Sequence, residues 1–256
     1  MDIAALQSKN VGELHDLAEE LSLSQYQALP KQDLVLRIER ALLENGESLT
    51  GEGVLEILPE GYGFLRSQVW SYVSSPDDVY VSPSQIKRLN LRTGDTLVGQ
   101  VRPPRKGEKY IAIERVDFLN GLDPEEAQER GEFDKLKPRY PEKRLSLEVQ
   151  DDPQGIAMRM VDLIAPIGEG QRGLIVSPPK AGKTTVLQQM ADAISTNWPE
   201  VHLIMLLVDE RPEEVTEMKQ KVRGEVIAST FDESPKRHIQ VAEMVLEKAK
   251  RLVEHG

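Results

Sequence analysis

The stretch GLIVSPPKAGKTTVLQQMAD, residues 173–192, decides how the second half of the chain is read. An apolar run leads into a short loop with two prolines, and the residues after Gly182 carry apolar side chains at helical spacing. That order, strand then loop then helix, is the context of a phosphate-gripping loop, whose pattern is G-x-x-x-x-G-K-[ST]. Gly182, Lys183 and Thr184 fill three of the fixed positions, while Ser177 stands where the first glycine is usual. Each match has a chemical reason. Gly182 lets backbone N–H groups close around a β-phosphate, Lys183 reaches the β- and γ-phosphates, and the Thr184 hydroxyl can hold the Mg²⁺ that travels with ATP. The positive end of the helix that starts there adds to the same site. Pro178 and Pro179 stiffen the loop and can replace the turn-forming role of the missing glycine.

Downstream, HLIMLLV (residues 202–208) runs into Asp209-Glu210-Arg211-Pro212. Acidic side chains at the carboxyl end of a central strand sit where open α/β sheets bind ligands. Glu210 is therefore a candidate base for activating a water, and Arg211 a candidate phosphate or nucleotide contact. The same residues also read as a helix-capping device, with Pro212 opening the next helix. Apolar runs at 172–177, 201–210 and 224–230 alternate with helical patterns at 184–196, 212–222 and 236–254, which predicts a parallel α/β sheet covered on both faces.

Residues 48–118 follow a different rule. Five short runs punctuated by glycine (GEGVLEIL, GYGFLRS, DDVYVSP, DTLVGQVRPP and KYIAIERVDF) predict a small β-barrel of the OB-fold, cold-shock-like kind. In EGYGFLR, Tyr62, Phe64 and Arg66 recur every second residue, so a strand projects all three from one face. Only 5% of the chain is aromatic, and Tyr80 and Tyr110 fall in the same segment, with Arg102, Arg105, Lys106 and Lys109 close by. Rings on a small barrel stack the bases of single-stranded nucleic acid, and the cations take its phosphates. The alternative places Tyr62 and Phe64 in the core.

Residues 1–47 predict a small helical domain. Asn10 with Glu13 makes a capping box ahead of Leu14, Leu17, Ala18 and Leu21, and PKQDLVLRIERALLENG makes a second helix stopped by Asn45-Gly46. This segment holds 4 basic and 9 acidic residues, net −5, whereas residues 48–118 hold 9 of each. Residues 119–150, charged and dotted with prolines, read as a linker to the domain at 151–256.

The whole chain bounds these readings. At 256 residues it has room for about two ordinary domains. A formal charge of −11 argues against coating nucleic acid by bulk electrostatics. The absence of cysteine excludes disulfides, thiolate nucleophiles and cysteine-ligated zinc. With no basic start followed by an apolar block and no run of about 18 apolar residues, the expectation is a cytoplasmic protein with no membrane segment.

EGYGFLRS, DDVYVSPSQIKRLNLRTGDTLVGQVRPPRKGEKY, SPPKAGKTT and LLVDERPEEVTEM, in this order, resemble the Rho family of bacterial transcription termination factors over essentially the whole chain. The missing first glycine fits that family's phosphate loop. The resemblance implies an N-terminal helical bundle, an OB-fold RNA-binding barrel and an incomplete RecA-like ATPase domain. It implies a homohexameric, RNA-dependent ATPase and helicase that captures C-rich single-stranded RNA, moves 5′ to 3′ and releases the transcript, with RNA polymerase and elongation factors as possible partners.

Carried over, Gly61, Tyr62, Gly63, Phe64, Leu65 and Arg66, with Asp78, Val79 and Tyr80 and with Glu108, Lys109 and Tyr110, form the RNA site. Asp78 or Glu108 would accept from the cytosine N4 amine. Gly168, Glu169, Gly170, Gln171, Arg172 and Gly173 lie beside the nucleotide in this reading; Lys180, Ala181, Gly182, Lys183, Thr184 and Thr185 hold phosphate and Mg²⁺. Glu210 activates water and Arg211 contacts the nucleotide. The chain ends at AKRLVEHG, before the family's later acidic strand, channel loops and arginine finger. A fragment or a truncated protein is the expectation, with RNA binding but little or no hydrolysis. The competing reading is a single-stranded RNA-binding module with a non-hydrolysing nucleotide domain; a weaker one likens the motor part to rotary ATP synthase subunits.

Overall fold

The computed structural model describes residues 2–105, 107–150, 155–178 and 180–255. These divide into two compact units, residues 1–135 with 239–256 and residues 136–238.

The first unit opens with three helices, α1 (Ile3–Ser8), α2 (Val11–Glu20) and α3 (Lys31–Glu44). The expected capping box is present: Asn10 accepts from the Glu13 N–H while Glu13 accepts from that of Asn10 at 2.8 Å. Gly46, with φ +84°, follows the end of α3. Five strands, β1 (Leu49–Ile57), β2 (Gly63–Arg66), β3 (Val79–Val81), β4 (Thr96–Arg102) and β5 (Ala112–Leu119), then close a barrel in the order β1-β2-β3-β5-β4. Within the barrel β3 and β5 pair parallel, and the other neighbouring strands pair antiparallel. The short helix α4 (Pro83–Arg88), capped by Ser82, bridges β3 and β4.

The helices do not keep a core of their own. Leu14, Leu34, Ile38 and Leu42 share one buried cluster with Leu49, Leu55, Leu65, Val79, Leu97 and Leu119 of the barrel. Each such side chain contributes roughly 1.5 to 3 kcal/mol by leaving water, so the two sequence segments stabilise one another.

Residues 119–135, read above as part of a linker, fold onto this unit. The Arg130 guanidinium, 2% exposed, pairs with Asp95 at 2.5 Å and with Glu254 at 3.5 Å. Glu254 lies on α8 (Pro235–His255), whose residues from Ile239 onward belong here. Lys248 of that helix donates to the Tyr72 hydroxyl at 2.9 Å, both being buried. Gly94, at φ +94°, permits the contact, because a Cβ there would lie 2.3 Å from the Glu247 carbonyl carbon. No sequence period distinguishes such residues from a linker, since single long-range ion pairs hold them.

In the second unit, β6 (Arg144–Leu145) pairs antiparallel with β7 (Ile167–Gly168), and α5 (Ile156–Ile164) lies between them in sequence. Helix α6 (Lys183–Asn197), strand β8 (Ile204–Glu210), helix α7 (Pro212–Lys221) and strand β9 (Glu225–Thr230) follow within a residue or three of the expected bounds. Strands β8 and β9 pair parallel, and Ala191, Leu207, Val215, Met218, Val226 and Ala228 pack around them.

One expectation fails here. The run at 172–177 is not a buried strand: among the described residues it pairs with no strand, and Leu174 is 88% exposed. A strand exists only through its ladder partners, and none of the described residues forms a ladder with this run. The apolar sequence alone cannot supply them.

Candidate nucleic-acid interface and nucleotide site

Barrel register builds the first site. Glu56 on β1, Phe64 on β2 and Tyr80 on β3 stand directly opposite one another, so their side chains share the outer face. Arg66 is the next outward residue along β2, and Asp78 immediately precedes β3 beside it. Tyr62 lies just before β2, with Gly61 turning the chain at φ +89° and Gly63 opening the strand. The rings form one cluster: Tyr62, Phe64 and Tyr80 are 5.8 to 5.9 Å apart by centroid, and Tyr110 meets Phe64 at 4.9 Å. They line, with Glu108 and Lys109, an open cavity of about 300 Å³. Lys109 Nζ stands 5.4 Å from the Tyr110 ring centre.

The structure sorts the candidates. Leu65 and Val79 belong to the barrel core, as strand alternation requires, so they support the face without presenting side chains on it. Phe64 is largely covered by the other rings, while Tyr62, Tyr80 and Tyr110 are partly exposed. The core reading of Tyr62 and Phe64 gives way to an outer ring cluster.

Arg66 differs from expectation. It is buried, with its guanidinium clamped between Glu56 at 2.6 Å and Asp78, and it does not line the ring cavity. A phosphate would have to displace a carboxylate to reach it. Burial pushes the Asp78 carboxyl up to about 6, against the Ser75 backbone hydrogen bond and the Arg66 charge. Glu108 is the opposite case. The Arg102 fork at 2.7 and 3.1 Å and the Arg105 N–H hold its carboxyl down at about 2, so it stays an acceptor at the cavity rim.

Arg105 is exposed; Lys106 lies outside the described residues. Arg102 and Arg105 also border a neighbouring cavity of about 340 Å³ with Tyr80, Ser82 and Arg88. Arg88, at the end of α4, escaped the sequence reading because a basic residue in a helix's last turn ordinarily marks only its dipole.

The second candidate site starts at Gly182, whose φ of +91° makes the N-cap of α6. Lys180 is also left-handed, at φ +61°. The first-turn N–H groups of a helix have no intrahelical partner, and α6 has no side-chain cap bond, so Lys183, Thr184 and Thr185 offer donors where phosphate would sit. Lys183 is exposed and Thr184 partly so, and Ala181 lies between the two left-handed residues. Ser177 Oγ is buried without a hydrogen-bond partner among the described residues. These features fit a polyphosphate. Pro179 lies outside the described residues.

The segment 168–173 closes on itself: Gly168 N–H donates to the Gln171 side chain at 2.8 Å, Gly170 turns at φ +78°, and Glu169 pairs with Lys143 at 2.8 Å. Arg172 and Gly173 are exposed. Glu210 ends β8 after a register shift at which Asp209 adopts φ +59°. Arg211 is the N-cap of α7 and makes no side-chain cap bond, so capping leaves its guanidinium unused.

The fold and both sites define a class: an OB-like RNA-binding barrel in one chain with a nucleotide-binding α/β domain. Residues 5–47 match the family model described as the Rho termination factor N-terminal domain, residues 51–125 the Rho termination factor RNA-binding domain, and residues 157–255 the nucleotide-binding domain of the ATP synthase alpha/beta family. The chain is similar along its whole length to proteins named transcription termination factor Rho, at 55% identity from Pseudomonas fluorescens biotype C, 54% from Allochromatium vinosum and 53% from Pseudomonas aeruginosa. It shares with the Rho termination factors an N-terminal domain and an RNA-binding domain, and its similarity to them runs the length of the chain. The chain spans 61% of the length of each of these relatives. Among the described residues, no helix is long and apolar enough to cross a membrane.

Proposed function

We propose that this chain captures C-rich single-stranded RNA on its barrel and binds ATP with Mg²⁺ at the loop before α6, within a cytoplasmic termination factor that hydrolyses ATP in response to RNA. The observation that carries the reading is the four-ring cavity with a carboxylate held ionised at its rim, in the same chain as a phosphate loop. The rings stack a base of any identity, and a single strand is favoured because duplex bases offer no free face. Pyrimidines fit a cavity of this size best, and Glu108 or Asp78 accepts from the cytosine N4 amine.

In the nucleotide unit, Lys183, Thr184 and the first-turn N–H groups of α6 hold the phosphates, and Thr184 holds the metal. A Mg²⁺ held by Thr184 would supply positive charge to offset that of the phosphates. Glu210 orients and deprotonates water, and Arg211 contacts the nucleotide. Movement along RNA, assembly as a homohexamer and contacts with RNA polymerase and elongation factors belong to the whole protein under this proposal. The RNA-binding module without hydrolysis is not favoured, since the relatives over the full chain are named termination factors.

The test is binding of labelled oligo(C) to the 256-residue chain beside oligo(A), together with phosphate release from ATP with and without poly(C). Preference for oligo(C), lost in Tyr110→Ala, and nucleotide binding, lost in Lys183→Ala, are expected. Equal affinity for oligo(A) and oligo(C) would remove the base-reading role.

A further inference from the structure

His255, in the last turn of α8, holds its ring Nε2 2.9 Å from the Asn120 side-chain nitrogen and 3.0 Å from Arg130 Nη1. Both neighbours are donors. The Asn120 amide has its orientation fixed, because its Oδ1 accepts from the Thr96 N–H at 2.8 Å and so turns Nδ2 towards His255 and towards Asp95 Oδ1, also at 2.8 Å. A guanidinium has no acceptor at all. Nε2 therefore carries a lone pair, the ring proton sits on Nδ1, and His255 is neutral.

The surroundings resist a charge there. Among the described residues, the guanidiniums of Arg92, Arg130 and Arg251 stand around the buried carboxylates of Asp95 and Glu254. Nearer solvent, Glu132 and Glu247 are answered by Lys135 and Lys250. Burial, and then the Arg130 charge, lower the His255 ring from its usual 6.5; Arg251 acts in the same sense, and Asp95 and Glu254 act against them.

We infer that His255 is a proton-operated latch: neutral, it fastens the end of α8 and, through Arg130, residues 119–135 to the barrel unit, and protonation at Nε2 releases both. A proton on Nε2 would face two N–H groups within hydrogen-bond distance and a guanidinium charge. Asp95 has no oxygen left to receive it, since Oδ1 already accepts from Asn120 and Arg130, and Oδ2 from Arg130 and the Arg92 N–H. The charged ring must turn out to water, and Asn120 and Arg130 each lose an acceptor.

A base that is harder to protonate in the fold than in the open chain stabilises fully above its usual pKa, and that stabilisation is lost as pH falls through it. Glu39 works in the opposite sense on the same unit, so a whole-chain unfolding midpoint mixes the two and a local probe is needed.

The experiment is amide hydrogen exchange of the 256-residue chain, read by mass spectrometry at about pH 5.5 and about pH 7.5 with rates corrected for intrinsic exchange. Peptides from residues 119–135 and from the last turns of α8 are compared with a β1 peptide, which reports opening of the whole unit. In wild type, protection of the first two should fall about fivefold or more at the lower pH relative to β1. His255→Gln, whose carbonyl oxygen accepts from both donors and never ionises, should show no such fall.

Wild-type protection that is equal at both pH values overturns the inference. A His255→Gln chain that loses as much as wild type assigns the effect to another group and overturns it equally. If His255→Gln is loose at both pH values, the ring nitrogen resonances of wild type decide. They should show Nε2 bare and Nδ1 protonated at the higher pH, charging only below the range of a free histidine. An Nε2–H tautomer, or titration like that of a free histidine, overturns the latch.

Discussion

Phe64 and Tyr110 meet edge to face, with ring centroids 4.9 Å apart and planes at 68°, although one lies on β2 and the other just before β5. Barrel closure through the parallel β3–β5 pair brings them together. Phe64→Ala removes the centre of the cluster, and oligo(C) affinity should fall by about 1 to 3 kcal/mol, the worth of one stacked base. Titration by fluorescence anisotropy checks this, and unchanged affinity would dismiss the stacking role.

Arg105 and Arg102 should behave differently despite their proximity. Arg105 is exposed and meets Glu108 through its backbone N–H, so Arg105→Ala should lower the salt slope of RNA binding by about one unit without altering base preference. Arg102 forks onto Glu108, and Arg102→Ala should release that carboxyl from about 2 towards the ordinary glutamate value. Carboxyl resonances followed by NMR against pH would show the shift; a Glu108 that titrates as in wild type would remove the pairing as its cause.

Glu39 on α3 gives the first unit an inverse pH dependence. Burial first, then the charge of Asp77, raise its carboxyl from 4.5 to about 8, with Arg40 acting against them. Between those values the folded chain binds a proton that the unfolded chain releases, so this contribution is complete at acid pH and is lost as pH rises through about 8. Glu39→Gln should stabilise the chain at pH 8 by an amount on the order of 2 to 4 kcal/mol and by little at pH 5. Urea midpoints at the two pH values test it, and equal gains at both would mean that Glu39 is not protonated in the fold.

Arg130→Ala would leave Asp95 and Glu254 buried, with side chains at 0% exposure, and missing their shared partner. Loss of one partner of a buried pair typically costs about 3 to 5 kcal/mol, so the thermal midpoint of the first unit should fall sharply. Replacement without effect would mean that residues 119–135 behave as the free linker their composition describes.

Lys183→Ala should weaken ATP binding about tenfold or more, because it removes a charge-assisted contact to phosphate at the start of α6. Thr184→Ala should act mainly when Mg²⁺ is present. Calorimetry with ATP, with and without the metal, separates the two; equal losses under both conditions would take Thr184 out of the metal's coordination.

Local chemistry was legible in the sequence because its determinants are neighbours along the chain. The Asn10–Glu13 box, the stop at Gly46, the left-handed Gly182 opening α6 and the helix after Pro212 each depend on residues within one turn of one another. The period-two spacing of Tyr62, Phe64 and Arg66 likewise located the aromatic face, since a pleated strand sends alternate side chains to one side. The roles of Glu56, Arg88 and His255 left no such mark: each is an ordinary polar residue until register or a distant segment supplies its partner.

The sequence by itself determined helices α2, α3, α6, α7 and α8, the barrel strands, the loop that opens α6 and the membership of the rings in one segment. Those follow from periodicity and from residue types that act on their own backbone. Only the tertiary structure decided that Arg66 is clamped by Glu56 and Asp78, that Glu108 stays ionised under Arg102, and that Arg130 fastens the supposed linker to Asp95. It also decided that Leu174 and Val176, apolar enough for a core strand, lie exposed. Ion pairs and ladders need two partners, and the free energy of a partner distant in sequence is set by closure of the fold, which no local pattern encodes.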